Sequence, residues 1–138
     1  MNEMSARAYS GLVKLIGMRI LQRTPDLVEG EIEVSPDLAN MANNMHGGAI
    51  MAFADTLGGM GAHGNLPPGA TTTTLESKTN FFAAIPVGDK ARGESVPLHK
   101  GRTTQVWQTR IFRGDGRLAA MVTQTQIVLP AAPRTTAP

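Results

Sequence analysis

The sequence predicts an α+β fold in which an antiparallel sheet of five or six strands curls around one long, mostly apolar helix. Three observations point there. The stretch from His46 to His63 is rich in Ala, Met, Gly and Leu, carries Asp55 as its only carboxylate, and at about 18 residues is too long for an ordinary strand. Four later segments are rich in Thr, Val, Ile and aromatic residues, which suits strands. Turns at Pro86-Val87-Gly88-Asp89 and Gly114-Asp115-Gly116 separate neighbouring strands by too few residues for a parallel crossover, so the expected pairing is antiparallel. An apolar helix needs covering all round, and a curled sheet is the simplest cover.

In chain order, Leu12, Val13, Leu15 and Ile16 within residues 6–17 have helical spacing and no internal proline, which predicts a short amphipathic helix. Between Arg19 and Val34 two runs are split by the turn signal Thr24-Pro25-Asp26. The second run alternates Val28, Gly30, Ile32 and Val34 against Glu29, Glu31 and Glu33, a hairpin with one wet face. A polar loop follows over 35–45, in which Asn43 and Asn44 offer N-cap chemistry for the long helix. Glycines at 47, 48, 58, 59, 61 and 64 lower the helix propensity, so packing must hold this element. After Pro67-Pro68-Gly69, strands are expected over 70–85, 90–99, 102–113 and 117–129, within a single domain of residues 1–129 and a frayed tail over 130–138.

The composition narrows the chemistry. No cysteine is present, which excludes disulfides, thiolate metal sites and a cysteine nucleophile. The net charge is +2, from 13 basic and 11 acidic residues scattered along the chain, and one Trp with one Tyr gives no stacking platform, so no nucleic acid is expected as a partner. No window approaches a membrane span and no signal pattern opens the chain, so no membrane is expected and the expected location is the cytoplasm.

The loop from Asn40 enters the helix at His46-Gly47-Gly48. A helix start offers free N–H groups and a positive dipole end, and glycine lets a ligand oxygen approach them. The Gly47 N–H is therefore a candidate oxyanion donor, although the glycines could equally serve close packing alone. Losing such a donor typically slows acyl transfer about 100- to 1000-fold. Asp55, between Ala54 and Thr56, is a lone carboxylate in an apolar helix, either desolvated for a purpose, facing a groove, or bonded to a hydroxyl.

Gly47 and Asp55 stand eight residues apart, which is about 12 Å along a helix axis and about 80° around it. One chain's Asp55 cannot reach a carbonyl held at its own Gly47. A two-fold dimer with antiparallel helices would bring Asp55 of one chain to Gly47 of the other and make two equal sites. The turn His99-Lys100-Gly101-Arg102 offers a mobile cation and a planar fork around a glycine, fit for a phosphate or simply for solvent. His46, His63, His99 and Asp55 include no pair at the i, i+4 spacing of a zinc helix, so no metal is expected. No Gly-x-Ser-x-Gly elbow occurs.

Taken together, Asn40, His46-Gly47-Gly48, Asp55-Thr56, Asn80-Phe81, and His99-Lys100-Gly101-Arg102 followed by Val106-Trp107 and Gly114-Asp115-Gly116-Arg117 resemble the hotdog-fold acyl-CoA thioesterases in order and spacing. The resemblance covers most of residues 27–128 and is strongest to the phenylacetate-pathway and 4-hydroxybenzoyl-CoA group, whose catalytic carboxylate lies on the central helix. It implies a hotdog fold and hydrolysis of an acyl-CoA to free acid and CoA. It further implies Asp55 as nucleophile or general base and the Gly47 N–H as the group that polarises the carbonyl. His46 would shape that site, Asn40 would position water or the leaving thiolate, and Thr56 would support the second half. Gly48 and the turn of His99, Lys100, Gly101 and Arg102 would meet the CoA.

The same resemblance implies no metal and no cofactor other than the CoA of the substrate, and a homodimer with shared sites assembled as a dimer of dimers. Many relatives carry Glu where this chain has Asp55, which retracts the carboxylate by one methylene. The small residues over 56–66 leave room for an aromatic or a short- to medium-chain acyl group. Two other readings are a non-catalytic acyl-CoA-binding module of the same fold and an enoyl-CoA hydratase or dehydratase. The hydratases place their Asp and His closer together than the nine residues between His46 and Asp55.

Overall fold

The computed structural model describes residues 11–133. Of the expected N-terminal helix, residues 6–10 lie outside the described residues, and the remainder forms α1 (Leu12–Ile16), closed by Gly17 in the left-handed conformation at φ 76°. β1 (Arg19–Thr24) and β2 (Leu27–Glu33) make the expected hairpin around Pro25 and Asp26. Val28, Gly30 and Ile32 turn inward, while Glu31 pairs with Arg19 on the wet face. α2 (Gly47–His63) follows, and then β3 (Thr71–Phe81), β4 (Lys90–Lys100), β5 (Thr104–Phe112) and β6 (Leu118–Leu129). The six strands form one antiparallel sheet in the order β1-β2-β4-β5-β6-β3, with α2 packed against it.

Three expectations need correction. The turn over Pro86–Asp89 does not join paired strands, because β4 has β2 on one side and β5 on the other. β3 pairs instead with β6 at the far edge of the sheet. Residues 82–85, read as the end of the Thr- and Phe-rich strand over 70–85, belong to the connection that crosses β5 and β6. Ile85 anchors it by full burial, with Met45 N–H donating to Ile85 O at 2.7 Å and Gly88 N–H to Val34 O at 2.8 Å.

The second correction concerns the cover on α2. Ile50, Phe53, Ala54, Leu57 and Met60 are buried against the sheet, but Met51, Asp55 and His63 are exposed on the opposite side. Alanine and glycine are compatible with either environment, so composition overstated the need for cover. Third, the N-cap of α2 is His46, whereas Asn43 sits at φ 61° in the loop before it.

The helix lies close to the sheet. A Cβ on Gly61 would fall 2.6 Å from Cη2 of Trp107, so the fully buried indole occupies the space that a side chain would need. The indole N–H donates to Gln105 Oε1 at 2.9 Å, and Gln105 Nε2 donates to Ala62 O at 3.2 Å, so its burial leaves no unsatisfied donor. Arg23 Nη2 donates to Met60 O at 3.0 Å and Asn65 Nδ2 donates to Gly61 O at 2.8 Å, which satisfies carbonyls at the end of α2.

β3 carries a bulge. Its register with β6 shifts between Thr74 and Glu76, leaving Leu75 unpaired. Thr72 and Thr74 before it, and Ser77 and Thr79 after it, are half-buried, while Leu75, Glu76 and Lys78 are exposed. No helix among the described residues is long and apolar enough to cross a membrane.

Two predictions follow from this packing. Gly61→Ala would gain about 1 kcal/mol of helix propensity on an open helix, but against Trp107 it lowers stability by about 1–3 kcal/mol through overpacking, read by calorimetry. At the β5–β6 turn, hydrogen bonds from the Arg113 guanidinium hold the Asp115 carboxyl at a pKa of about 2, helped by the Arg117 N–H. A depressed folded pKa favours the folded state above the unfolded value and loses that contribution as pH falls towards about 2. A carboxyl NMR titration reports that midpoint for Asp115, and Arg113→Ala returns it to the ordinary carboxylate range.

Candidate active site

The start of α2 is built by the loop before it. Asn40 Oδ1 accepts the N–H groups of Ala42 at 3.0 Å and Asn44 at 3.1 Å, and the Asn40 N–H donates to Asn44 O at 2.8 Å. This closes the loop and leaves the Asn40 amide nitrogen without a described partner. The loop delivers His46 in an extended conformation, with its N–H donating to Leu38 O at 2.7 Å.

Four N–H groups at a helix start have no partner within the helix. Here the Gly48 N–H donates to His46 Nδ1 at 2.8 Å, and those of Ala49 and Ile50 donate to His46 O at 2.9 and 3.1 Å. Among the described residues the Gly47 N–H alone of these four has no acceptor. Gly47 opens on a cleft of about 390 Å³, lined also by Asn40, Asn44, Ile50, Phe81 and Phe82. The dipole of a 17-residue helix favours negative charge at that point.

Asp55 lies two turns further along, exposed on the uncovered side of α2. Of the alternatives its sequence context left open, desolvation fails in the single chain, while the groove and the hydroxyl are both present. Thr74 Oγ1 donates to Asp55 Oδ1 at 2.7 Å, and Gln124 Nε2 donates to the same oxygen at 3.2 Å. No described residue bonds Oδ2. The carboxylate borders a second cleft of about 370 Å³, with Thr56, Gly59, His63, Thr72 and Gln126 among its walls. The Thr56 hydroxyl is directed elsewhere, to Ala52 O at 2.8 Å.

The candidate residues thus fall into separate groups within one chain. Asn40, His46, Gly47 and Gly48 surround the start of α2, and Asp55 and Thr56 flank the second cleft, with no lining residue common to both clefts. The turn after β4 forms a third group near the other end of α2. Gly101 N–H donates to Thr104 O at 2.8 Å, and the His99 ring fills the space beside Gly101. Lys100 Nζ pairs with Asp26 Oδ1 at 2.7 Å, and Pro25 beside it accepts from Asn65, just beyond α2. Arg102 is exposed and forms no ion pair among the described residues. No three His, Asp or Glu side chains converge among the described residues.

Sequence reasoning missed Thr74, Gln124 and their neighbour Gln126, which lie 19 to 71 residues from Asp55 in the chain. One signal was available. Gln124 and Gln126 occupy inward-facing positions of β6, where the alternation otherwise buries Ala120 and Val122.

Comparison with known proteins identifies the family and the fold. Residues 42–120, more than half of the chain and including both Gly47 and Asp55, match the family model of the thioesterase superfamily. A proofreading thioesterase, EntH of Cronobacter turicensis, is 30% identical over 114 residues, covering 83% of this chain and 82% of that protein. A thioesterase structure from Haemophilus influenzae superposes with a TM-score of 0.87 at 23% identity, covering 97% of this chain and 92% of the other, and shows the shared fold. A hypothetical thioesterase of Streptococcus pneumoniae, crystallised with coenzyme A, superposes with a TM-score of 0.76 at 25% identity over 84% of this chain and 89% of its own. The chain belongs to the thioesterase superfamily, as a thioester hydrolase built on the hotdog fold.

Proposed function

We propose that the protein hydrolyses an acyl-CoA thioester, carrying an aromatic or a short- to medium-chain acyl group, to the free acid and CoA. The observation that supports this reading best is the free N–H of Gly47 at the mouth of a cleft, on the same helix as an exposed carboxylate. A thioester oxygen accepting from Gly47 gains more from that donor as it becomes an oxyanion, which is the condition for catalysis. Asp55 supplies the attack through Oδ2, since both described bonds to the carboxylate fall on Oδ1.

Two routes serve Oδ2. In one it adds to the carbonyl carbon, and the thiolate leaves to give a mixed anhydride that water cleaves. In the other it takes a proton from a water molecule that adds directly. An anhydride trapped on Asp55 by rapid quenching distinguishes them. His46 holds the donor loop through its bond from Gly48, and the free amide nitrogen of Asn40 is available to water or the leaving thiolate. Thr56 lines the Asp55 cleft.

Because Gly47 and Asp55 stand about 12 Å apart along α2, a complete site takes the Gly47 end of one chain and Asp55 of another, in a two-fold homodimer. Met51, Phe81 and Phe82 support that assembly, being large apolar side chains left exposed at 37%, 53% and 53%. A dimer of dimers is carried by the family resemblance. The CoA phosphates fall to Lys100 and Arg102, with His99 and Gly101 shaping the turn. No resident metal or cofactor is called for, and a CoA ester as substrate suits a cytoplasmic protein.

Asp55→Ala is expected to abolish thiol release from acyl-CoA while the esters still raise the melting temperature, and full activity in that variant would overturn the assignment. Gly47→Pro deletes the donor where proline suits the first helical turn, after a residue at φ −60° and ψ 137°. It is expected to lower kcat about 100- to 1000-fold. Mixed dimers of the two inactive variants regain activity, whereas an active monomer contradicts the shared site. Lys100→Ala raises KM, and Asp26→Asn, which frees Lys100 for phosphate, lowers it. An unchanged KM in both assigns the turn to solvent.

A further inference from the structure

Asp55 is held by a chain of buried amides, one of which leaves a polar atom unpaired. Gln124 is fully buried and Gln126 is 2% exposed, side by side on the inward face of β6. Gln124 Nε2 has three oxygen neighbours: Asp55 Oδ1 at 3.2 Å, Asp55 O at 3.4 Å and Gln126 Oε1 at 3.0 Å. An amide surrounded in this way can turn only its NH₂ towards them. Gln126 Nε2 in turn donates to Thr72 Oγ1 at 3.1 Å. The Gln124 carbonyl oxygen, however, is buried without a partner among the described residues. An apolar side chain of similar length would carry no such penalty.

Space has been made for this amide. A Cβ on Gly58, three residues beyond Asp55 on α2, would lie 2.5 Å from Gln124 Cδ and closer still to Oε1. The absence of a side chain at 58 therefore lets the amide slide under the helix to the Asp55 carboxylate.

The proton count adds a second observation. Thr74 Oγ1 lies 2.7 Å from Asp55 Oδ1 and 2.5 Å from Gln126 Oε1, two acceptors for one hydroxyl proton. While Asp55 is ionised its carboxylate, the stronger acceptor, competes for that proton with the nearer Gln126 Oε1. On either route to hydrolysis the carboxylate loses its charge, as an anhydride or as an acid. The Thr74 proton then has Gln126 Oε1 waiting for it.

We infer that Gln124 and Gln126 are positioning residues for Asp55: they hold Oδ1 in place, leave Oδ2 as the reacting oxygen, and offer the Thr74 proton a second acceptor when the carboxylate loses its charge. This rests on Asp55 being the catalytic carboxylate. Gln124 lies outside the lining of the Asp55 cleft and acts through Asp55, while Gln126, at the wall of that cleft, acts through Thr74.

The test compares thiol release and melting temperature in six variants, using the acyl-CoA that the wild type turns over fastest. Gln124→Met keeps length and loses the amide, and is expected to lower kcat about 10- to 100-fold, the scale of a misplacement near 1 Å, with KM within about twofold. Thr72→Val, isosteric and at the far end of the chain, lowers kcat about three- to tenfold, and Thr72→Ser, which keeps the hydroxyl, recovers the loss. Gly58→Ala lowers both melting temperature and kcat by displacing Gln124. In Gly58→Ala/Gln124→Ser the collision is relieved, so the melting temperature returns while kcat stays low. A kcat that returns with the melting temperature assigns the glutamines to packing alone and overturns the proposal, as does wild-type kcat in Gln124→Met. Asp55→Ala is the separate control: wild-type turnover there overturns the underlying assignment, and the positioning role with it.

Discussion

The depth to which α2 sinks into the sheet is the constraint on which the rest of this structure depends. A helix with side chains at 58 and 61 would ride higher, and neither the Trp107 indole nor the Gln124 amide would fit beneath it. Glycine at 58 and 61 removes that obstacle from the helix. Gly93 does the same from the sheet, where a Cβ would lie 2.5 Å from Leu57 Cδ1. The intrinsic cost is about 1 kcal/mol per glycine in a helix. It is offset by burial of Trp107, Phe53 and Leu57, each worth roughly 1.5–3 kcal/mol. Close docking also lets a polar network lie under the helix, bringing Gln124 of β6 within 3.2 Å of the Asp55 carboxylate.

The same helix carries both groups of the proposed site, one at its start and one at its middle. Its first turn leaves one N–H unspent because a histidine caps the next and supplies its carbonyl to the two after that. Its middle carries a carboxylate on the side that the sheet does not cover. One rigid element thus fixes the spacing of donor and acid far more tightly than two loops could. In the proposed dimer that spacing sets how the second chain must lie.

Much of this was legible in the sequence, for identifiable reasons. Length and composition distinguished α2 from a strand, and the alternation of Val28, Gly30 and Ile32 against three glutamates marked β2. Gly47 and Asp55 stood out because each is unusual for its place in a helix. What stayed hidden was non-local. Strand order depends on which edges are already taken, and no turn signal at 86–89 records that β4 lies between β2 and β5. The partners of Asp55 come from β3 and β6, so their role exists only once the sheet has folded. The cover on α2 was overestimated because small residues are neutral between solvent and core, and only Met51 is a large apolar residue on the open side.

The bulge at Leu75 gives β3 one position at which its length can change. Inward positions before it are even-numbered and those after it odd-numbered, so one extra residue reconciles two stretches of opposite phase. Deleting that residue would leave Thr74 followed by Glu76 in plain alternation, with Ser77 and Thr79 still turned inward, Glu76 and Lys78 still outward, and the pairing with β6 unchanged. Substitutions along the exposed side of the strand alter little beyond the surface. In an evolving lineage this strand can therefore shed its extra residue at the bulge without turning Ser77 or Thr79 outward, while other insertions or deletions accumulate in the loops between elements.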